Sequence, residues 1–191
     1  IYYSCRHKIL FYYASCHDNL TLWDEINTSN ASDSYESRIK QNLMSAAIIY
    51  TAQGIPFIFS GEEMLRSKVS DDGTFDDNSY NSPDSVNSIK WDSLSGASQQ
   101  KVYNYYKGLI EFRKAHPAFR NMKKASSYYK FNKDVEDGVI AYELAPCNGE
   151  SSDGIYVIHN PLSKDVTVEL PDGTWTIYVS GSTAGTKSLG N

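Results

Sequence analysis

Apolar positions along this chain follow two rhythms, and the change falls near residue 120. Phe11, Tyr12, Tyr13 and Ala14 open the segment 11–15 as an aromatic, β-prone run, which predicts a buried strand. The run ends in Ser15, Cys16, His17, Asp18 and Asn19, a polar cluster without periodicity. Leu20, Leu22, Trp23 and Ile26 then make an apolar patch of one or two helical turns, and 27–34 reads as a polar loop. Asp33 with Glu36 forms a capping box, after which Ile39, Leu43, Ala46, Ala47 and Tyr50 recur at helical spacing as far as Gly54. Pro56, Phe57, Ile58 and Phe59 are too few for a helix and suit a strand buried on both faces, ending in Gly61, Glu62 and Glu63. Strand, polar turn, helix, strand, polar turn is the βαβ order of a parallel sheet or barrel.

Residues 66–92 form a polar stretch too long for an ordinary connection, which implies a functional loop. Helical spacing returns over 98–115, with Val102, Tyr106, Leu109, Ile110 and Arg113 on one face. His116 and Pro117 end it, because a residue before proline is pushed out of the helical region. After Arg120 short β-prone runs (126–131, 139–144, 155–159, 166–170 and 175–179) are separated by Gly- and Asp-containing turns. Strands at that spacing predict a small sandwich. The expected fold is therefore α/β followed by all-β. Residues 1–10 carry no clear period, and the start at Ile1 together with the Gly-, Ser- and Thr-rich end reads as a piece cut from a longer chain.

Composition narrows the function. A hydrophobic fraction of 40% supports a real core, and fifteen Tyr within 13% aromatics serve core packing or stacking on sugar faces. A net charge of −5 without a basic stripe argues against a phosphate-backbone partner, and no apolar run is long enough to span a membrane. Cys5, Cys16 and Cys147 are odd in number and lack CxxC spacing, so neither a zinc site nor a disulfide framework is expected. They favour a reducing compartment, such as the cytoplasm. Asp71, Asp72, Asp76 and Asp77 would suggest calcium, but they miss the EF-hand spacing, so no cofactor is assigned.

The chemistry gathers at strand ends, where barrel enzymes keep it. On spacing alone Asp18 or Asn19 serves equally well as a turn cap. Four segments in order change the balance: 15–24 (SCHDNLTLWD), 52–68 (AQGIPFIFSGEEMLRSK), 78–92 (NSYNSPDSVNSIKWD) and 111–120 (EFRKAHPAFR). Together they resemble the C-terminal part of the α-amylase superfamily of glycoside hydrolases, in particular its pullulanase-type debranching branch. The resemblance covers 15–120 by motif and the rest by architecture. It implies that 1–120 is the last two β/α units of a (β/α)8 TIM barrel and 121–191 a C-terminal β-sandwich, short of a strand or two.

The resemblance also implies roles. Retaining glycosidases use a nucleophile and an acid/base about 5–5.5 Å apart. The superfamily adds a third carboxylate, which falls here on Asp18 as transition-state stabiliser. His17 would donate to a hydroxyl of the same sugar, Tyr80 would stack on a glucose face, and Asn78 and Asn81 would bind its hydroxyls. The motifs for the nucleophile and the acid/base do not occur in this chain, so it is expected to be inactive alone and to need the N-terminal part of its own barrel as partner. Glu62 and Glu63 do not replace them, because neighbours on an extended strand point to opposite sides. They read as a supporting pair bonded to Arg66. Trp23 and Trp91 read as packing residues. The expected substrate is an α-glucan with α-1,6 branch linkages, such as pullulan, glycogen or starch dextrins. The rivals are an amylase, isoamylase or branching enzyme of the same superfamily, a non-catalytic carbohydrate-binding module, and a metal-binding protein built on the acidic loop.

Overall fold

The structure, a computed structural model, describes residues 11–121 and 129–191. Cys5 and residues 126–128 of the first expected β-run lie outside the described residues.

β1 (Phe11–Tyr12) is followed by α1 (Leu22–Ser29), α2 (Tyr35–Thr51) and β2 (Ile55–Pro56). β1 and β2 pair in parallel, Phe11 opposite Ile55 and Tyr12 opposite Pro56, so the βαβ order is present. Both strands are much shorter than expected, and among the described residues each has a single neighbour. Phe57 is 42% exposed, so the second run is not buried on both faces. A complete barrel is not built by the described residues, whose sheets are all small.

α1 covers the expected helical patch and runs on into the expected loop as far as Ser29, and Thr21 caps its start by accepting from the Asp24 amide at 3.2 Å. α2 is capped by Ser34 rather than by Asp33. Ser34 Oγ accepts from the Ser37 amide at 3.1 Å, while Asp33 turns aside to accept from Gln41 at 2.6 Å. The long polar stretch is built from short turns: a 3-10 turn over Ser79–Asn81, α3 (Asp84–Asn87) and a second 3-10 turn over Trp91–Ser95. Trp91 is 64% exposed and does not pack as expected, whereas Trp23 meets Tyr35 edge-on at 5.5 Å. α4 (Ala97–Ala115) ends where Pro117 requires.

α2 and α4 bury their apolar faces against each other through Ile39, Leu43, Ala46, Val102, Tyr106 and Leu109. Fully burying an aliphatic side chain of this kind contributes about 1.5–3 kcal/mol. Arg113, on the same face of α4, is buried and closes the C-terminal end of α2. Its Nη1 donates to the Tyr50 and Ala52 carbonyls at 2.7 Å each, and its Nη2 to Gly54 at 2.6 Å and Phe119 at 3.2 Å. The last carbonyls of a helix have no partner within it, and a cation suits that end of the dipole. Burial, with the Arg120 charge adding to it, lowers the Arg113 pKa to about 10.

Beyond α4 the chain forms an antiparallel three-stranded sheet of β3 (Tyr129–Asn132), β4 (Ile140–Leu144) and β5 (Ile155–His159). A hairpin of β6 (Val179–Ser180) and β7 (Thr183–Ala184) lies against α4. Residues 166–170 keep their alternation, but they find no ladder partner and form no strand among the described residues. The expected sandwich is thus a three-stranded sheet and a hairpin. Leu144, Ile155 and Val157 pack on Phe112 and Phe119, so α4 serves both cores. Gly108 is required where the hairpin meets the helix, since a β-carbon there would overlap the Ala184 carbonyl. Thr51 ties α2 to the sheet: Tyr142 donates to its hydroxyl at 3.0 Å, and His159 Nε2 stands 3.2 Å from the same oxygen.

Candidate active site

The polar turns after β1 and after β2 lie side by side, because their strands are parallel neighbours. Thr21 and Asp24, in the first turn of α1, then clamp the chain leaving the second turn. Thr21 Oγ1 donates to the Arg66 carbonyl at 2.7 Å, and the fully buried Asp24 carboxylate accepts from the Lys68 amide at 2.8 Å and from Ser67 Oγ. That clamp carries the Lys68 side chain inward. Its Nζ donates to the His17 carbonyl at 3.1 Å and to Ser79 Oγ at 2.6 Å, and lies 5.1 Å from the centre of the Phe59 ring. Burial lowers the Lys68 pKa, Arg66 adds to the effect, and Asp76, Asp24 and Asp18 oppose it.

A cleft of about 640 Å³ opens above this lysine, lined by His17, Asp18, Asn78 and Tyr80 together with Phe59, Arg66, Lys68 and Asp77. His17 and Asp18 expose most of their side chains, with His17 Nε2 3.5 Å from Asp18 Oδ1. Tyr80 is 88% exposed and presents a free ring face. Four of the five expected site residues thus share one cleft. Asn81 does not line it. The tight 3-10 turn Ser79–Asn81 rotates successive side chains by about 120°, so that Tyr80 faces the cleft and Asn81 faces away.

Glu62 and Glu63 lie on a 3-10 turn (Glu62–Met64) rather than on an extended strand, so alternation of strand faces does not separate them. Gly61, at φ +100°, leads the chain into this turn, and a β-carbon there would meet Arg66 Cδ at 2.6 Å. Nor do their hydrogen bonds run to Arg66. Glu62 accepts from Ser15 Oγ, Glu63 from the Gly61 amide at 2.9 Å, and Arg66 feels Glu63 through its charge alone. Burial pushes the Glu62 carboxyl up to about 7. Arg66 instead donates to the carbonyls of Ser60 and Asn87 and lies over Phe59 at 4.5 Å. In the acidic loop Asp72 accepts from Thr74 and Asp76 from Asn78 and Ser82, so both carboxylates hold turns.

Sequence reasoning missed Lys68 and Phe59, and weighed Asp77 only as a calcium ligand. A lysine in a polar stretch carries no signal of burial, and only the clamp at Asp24 turns it inward. Phe59 was placed in the core, where it would have belonged in a longer strand.

Residues 127–183 match the family model of the pullulanase all-beta domain. The pullulanase of Bacillus subtilis (strain 168) is 34% identical over 163 residues, covering 84% of this chain and 22% of that protein. The structure of the Bacillus acidopullulyticus pullulanase superposes with a TM-score of 0.86 at 39% identity, over 94% of this chain and 22% of that one. A pullulanase from Paenibacillus barengoltzii, solved in complex with maltohexaose and α-cyclodextrin, superposes with a TM-score of 0.75 at 35% identity, over 84% of this chain and 24% of that one. In motif, in sequence and in structure the chain is pullulanase-like, and it spans about a fifth of the length of the pullulanases it matches.

Proposed function

We propose that this chain is part of a retaining glycoside hydrolase that cleaves α-1,6-glucosidic branch linkages in pullulan, glycogen or starch dextrins. On this reading residues 1–120 belong to the catalytic barrel and 121–191 to a β module beside it. The observation that carries the reading is that His17 and Asp18, from the end of β1, share one cleft with Asn78 and Tyr80. The glucans bound to the Paenibacillus relative support an α-glucan as ligand.

Asp18 is the carboxylate that strengthens its hold as positive charge develops on the sugar ring. His17 donates a hydrogen bond to the same sugar, Tyr80 offers its ring face and Asn78 binds a hydroxyl. The attacking carboxylate and the proton donor come from the part of the barrel that precedes these strands. Retention follows from the pair of carboxyls about 5–5.5 Å apart that such enzymes use.

Asp18→Asn in an enzyme that includes this chain tests the assignment. The amide keeps size and hydrogen bonding but loses the charge, so kcat falls by at least about 10²–10³ while substrate affinity changes less. A near-normal kcat would return Asp18 to capping its turn.

A further inference from the structure

Cys16, His17 and Asp18 are consecutive, yet their donor atoms converge to within 4.8 Å of one another. We propose that this turn binds a zinc-class divalent cation through Cys16 Sγ, a His17 imidazole nitrogen and an Asp18 carboxylate oxygen. Asn19, in the left-handed region at φ +61°, folds the chain back at this point. Lys68 donates to the His17 carbonyl at 3.1 Å, so the main chain at the middle of the three donors is held before any ion arrives. The Cys16 thiol, which donates to the Asp18 carbonyl oxygen at 3.8 Å, gives up that weak contact when it binds the ion.

The distances suit a tetrahedral ion. With metal–nitrogen and metal–oxygen bonds of about 2.0–2.1 Å, the edge between two ligand atoms is about 3.3 Å. His17 Nε2 and Asp18 Oδ1 are already 3.5 Å apart, and Cys16 has only to draw its sulfur in. His17 and Asp18 are exposed and Cys16 half-buried, so no core residue moves. Three protein donors and a water in the open fourth position is the ligand count of an accessible zinc site. The donor chemistry selects zinc or cadmium over magnesium or calcium, which take oxygen ligands. On binding, the thiol loses its proton to solvent and the thiolate supplies the bonding pair. Arg66 and Lys68 also line the cleft and oppose a cation, while Asp77 and the new thiolate offset them. Three adjacent donors escape a search for CxxC spacing.

The ion and a sugar compete for His17 and Asp18, so ion binding is tested without carbohydrate, and its failure leaves the carbohydrate reading untouched. The test is titration of the reduced 191-residue chain with cadmium, followed by the ultraviolet charge-transfer absorption of a cadmium–thiolate bond. The expected band saturates at one ion per chain and is lost to added zinc but not to magnesium or calcium. Cys16→Ser abolishes it, whereas the double variant Cys5→Ser, Cys147→Ser retains it in full. His17→Gln and Asp18→Asn keep the band but weaken binding by at least about tenfold, the scale on which a zinc site responds to its surroundings. A band that survives Cys16→Ser, or that vanishes in the double variant, would overturn the site. Unchanged affinity in both His17→Gln and Asp18→Asn would reduce it to a lone thiol and overturn the three-ligand assignment.

Discussion

The ammonium of Lys68 donates to the main-chain oxygen of His17 at 3.1 Å, across 51 residues of sequence. Because the same Nζ also donates to Ser79 Oγ, one buried side chain sets the distance between the two segments that line the cleft. Lys68→Met keeps much of the stem and removes both bonds. The expected cost is about 1–3 kcal/mol, from two acceptors left without their charged donor. Amide exchange over 17–19 and 78–80 should quicken while the contact between α2 and α4 keeps its protection. Unaltered exchange in both segments would show that the bridge does not position them.

Arg113 satisfies four carbonyls at once. Arg113→Met leaves them buried and should destabilise the chain by about 3 kcal/mol or more, a fall of about 2–4 °C in Tm per kcal/mol at this size. Arg113→Lys should recover little, since an ammonium cannot reproduce the planar fork. Full recovery by lysine would mean that charge alone matters at this helix end.

Two buried groups set opposite pH limits. Glu62 has its pKa raised from 4.5 to about 7 by burial, so its favourable contribution is complete below the unfolded value and is lost as pH rises through 7. The loss is on the order of 3 kcal/mol. His159, lowered from 6.5 to about 4 by burial, is neutral in the fold, so its contribution is present above 6.5 and lost as pH falls towards 4. The two slopes oppose each other and nearly cancel between about 4.5 and 6.5, so Tm should fall below that window, towards pH 4, and above it, up to about pH 7. Glu62→Gln should remove the fall above 6.5 and uncover the His159 slope, so that Tm rises with pH from 4 to 6.5, and an unchanged profile would remove Glu62 as a cause.

Phe11, Tyr13, Ile55 and Phe57 are 61%, 57%, 41% and 42% exposed around the two-stranded parallel sheet. Parallel strands are ordinarily covered on both faces. The 191-residue chain should bind a hydrophobic dye, and Phe11→Ser with Phe57→Ser should weaken that signal severalfold. A dye-silent, monomeric wild-type chain would show that these faces are covered in solution.

Alone, the chain should not hydrolyse pullulan, because catalytic groups that act as a unit leave little when only one is present. Reducing ends released by the purified chain, compared with a Glu62→Gln, Glu63→Gln variant, check this. Turnover that disappears in the variant would place the catalytic pair inside this chain.

How much the sequence decided differs from element to element. α2 and α4 were legible because a helix that buries one face must repeat apolar residues at 3.6 spacing, and Pro117 stops a helix wherever it stands. The antiparallel runs over β4 and β5 were legible from alternation, and the pairing of His17 with Asp18 from a motif that is local in sequence. Strand length was not legible, because a strand exists only as far as a neighbour pairs with it. Of the two expected parallel strands only Phe11–Tyr12 and Ile55–Pro56 pair among the described residues, where 166–170 finds no partner. The cap at Ser34 rather than Asp33 turned on a contact with Gln41. Lys68 beneath the cleft, Arg113 on the end of α2 and Glu62 against Ser15 all join residues more than 45 positions apart. Polar side chains of that kind declare their partners only when the backbone brings the partners within reach, which is a property of the tertiary structure and not of any local pattern.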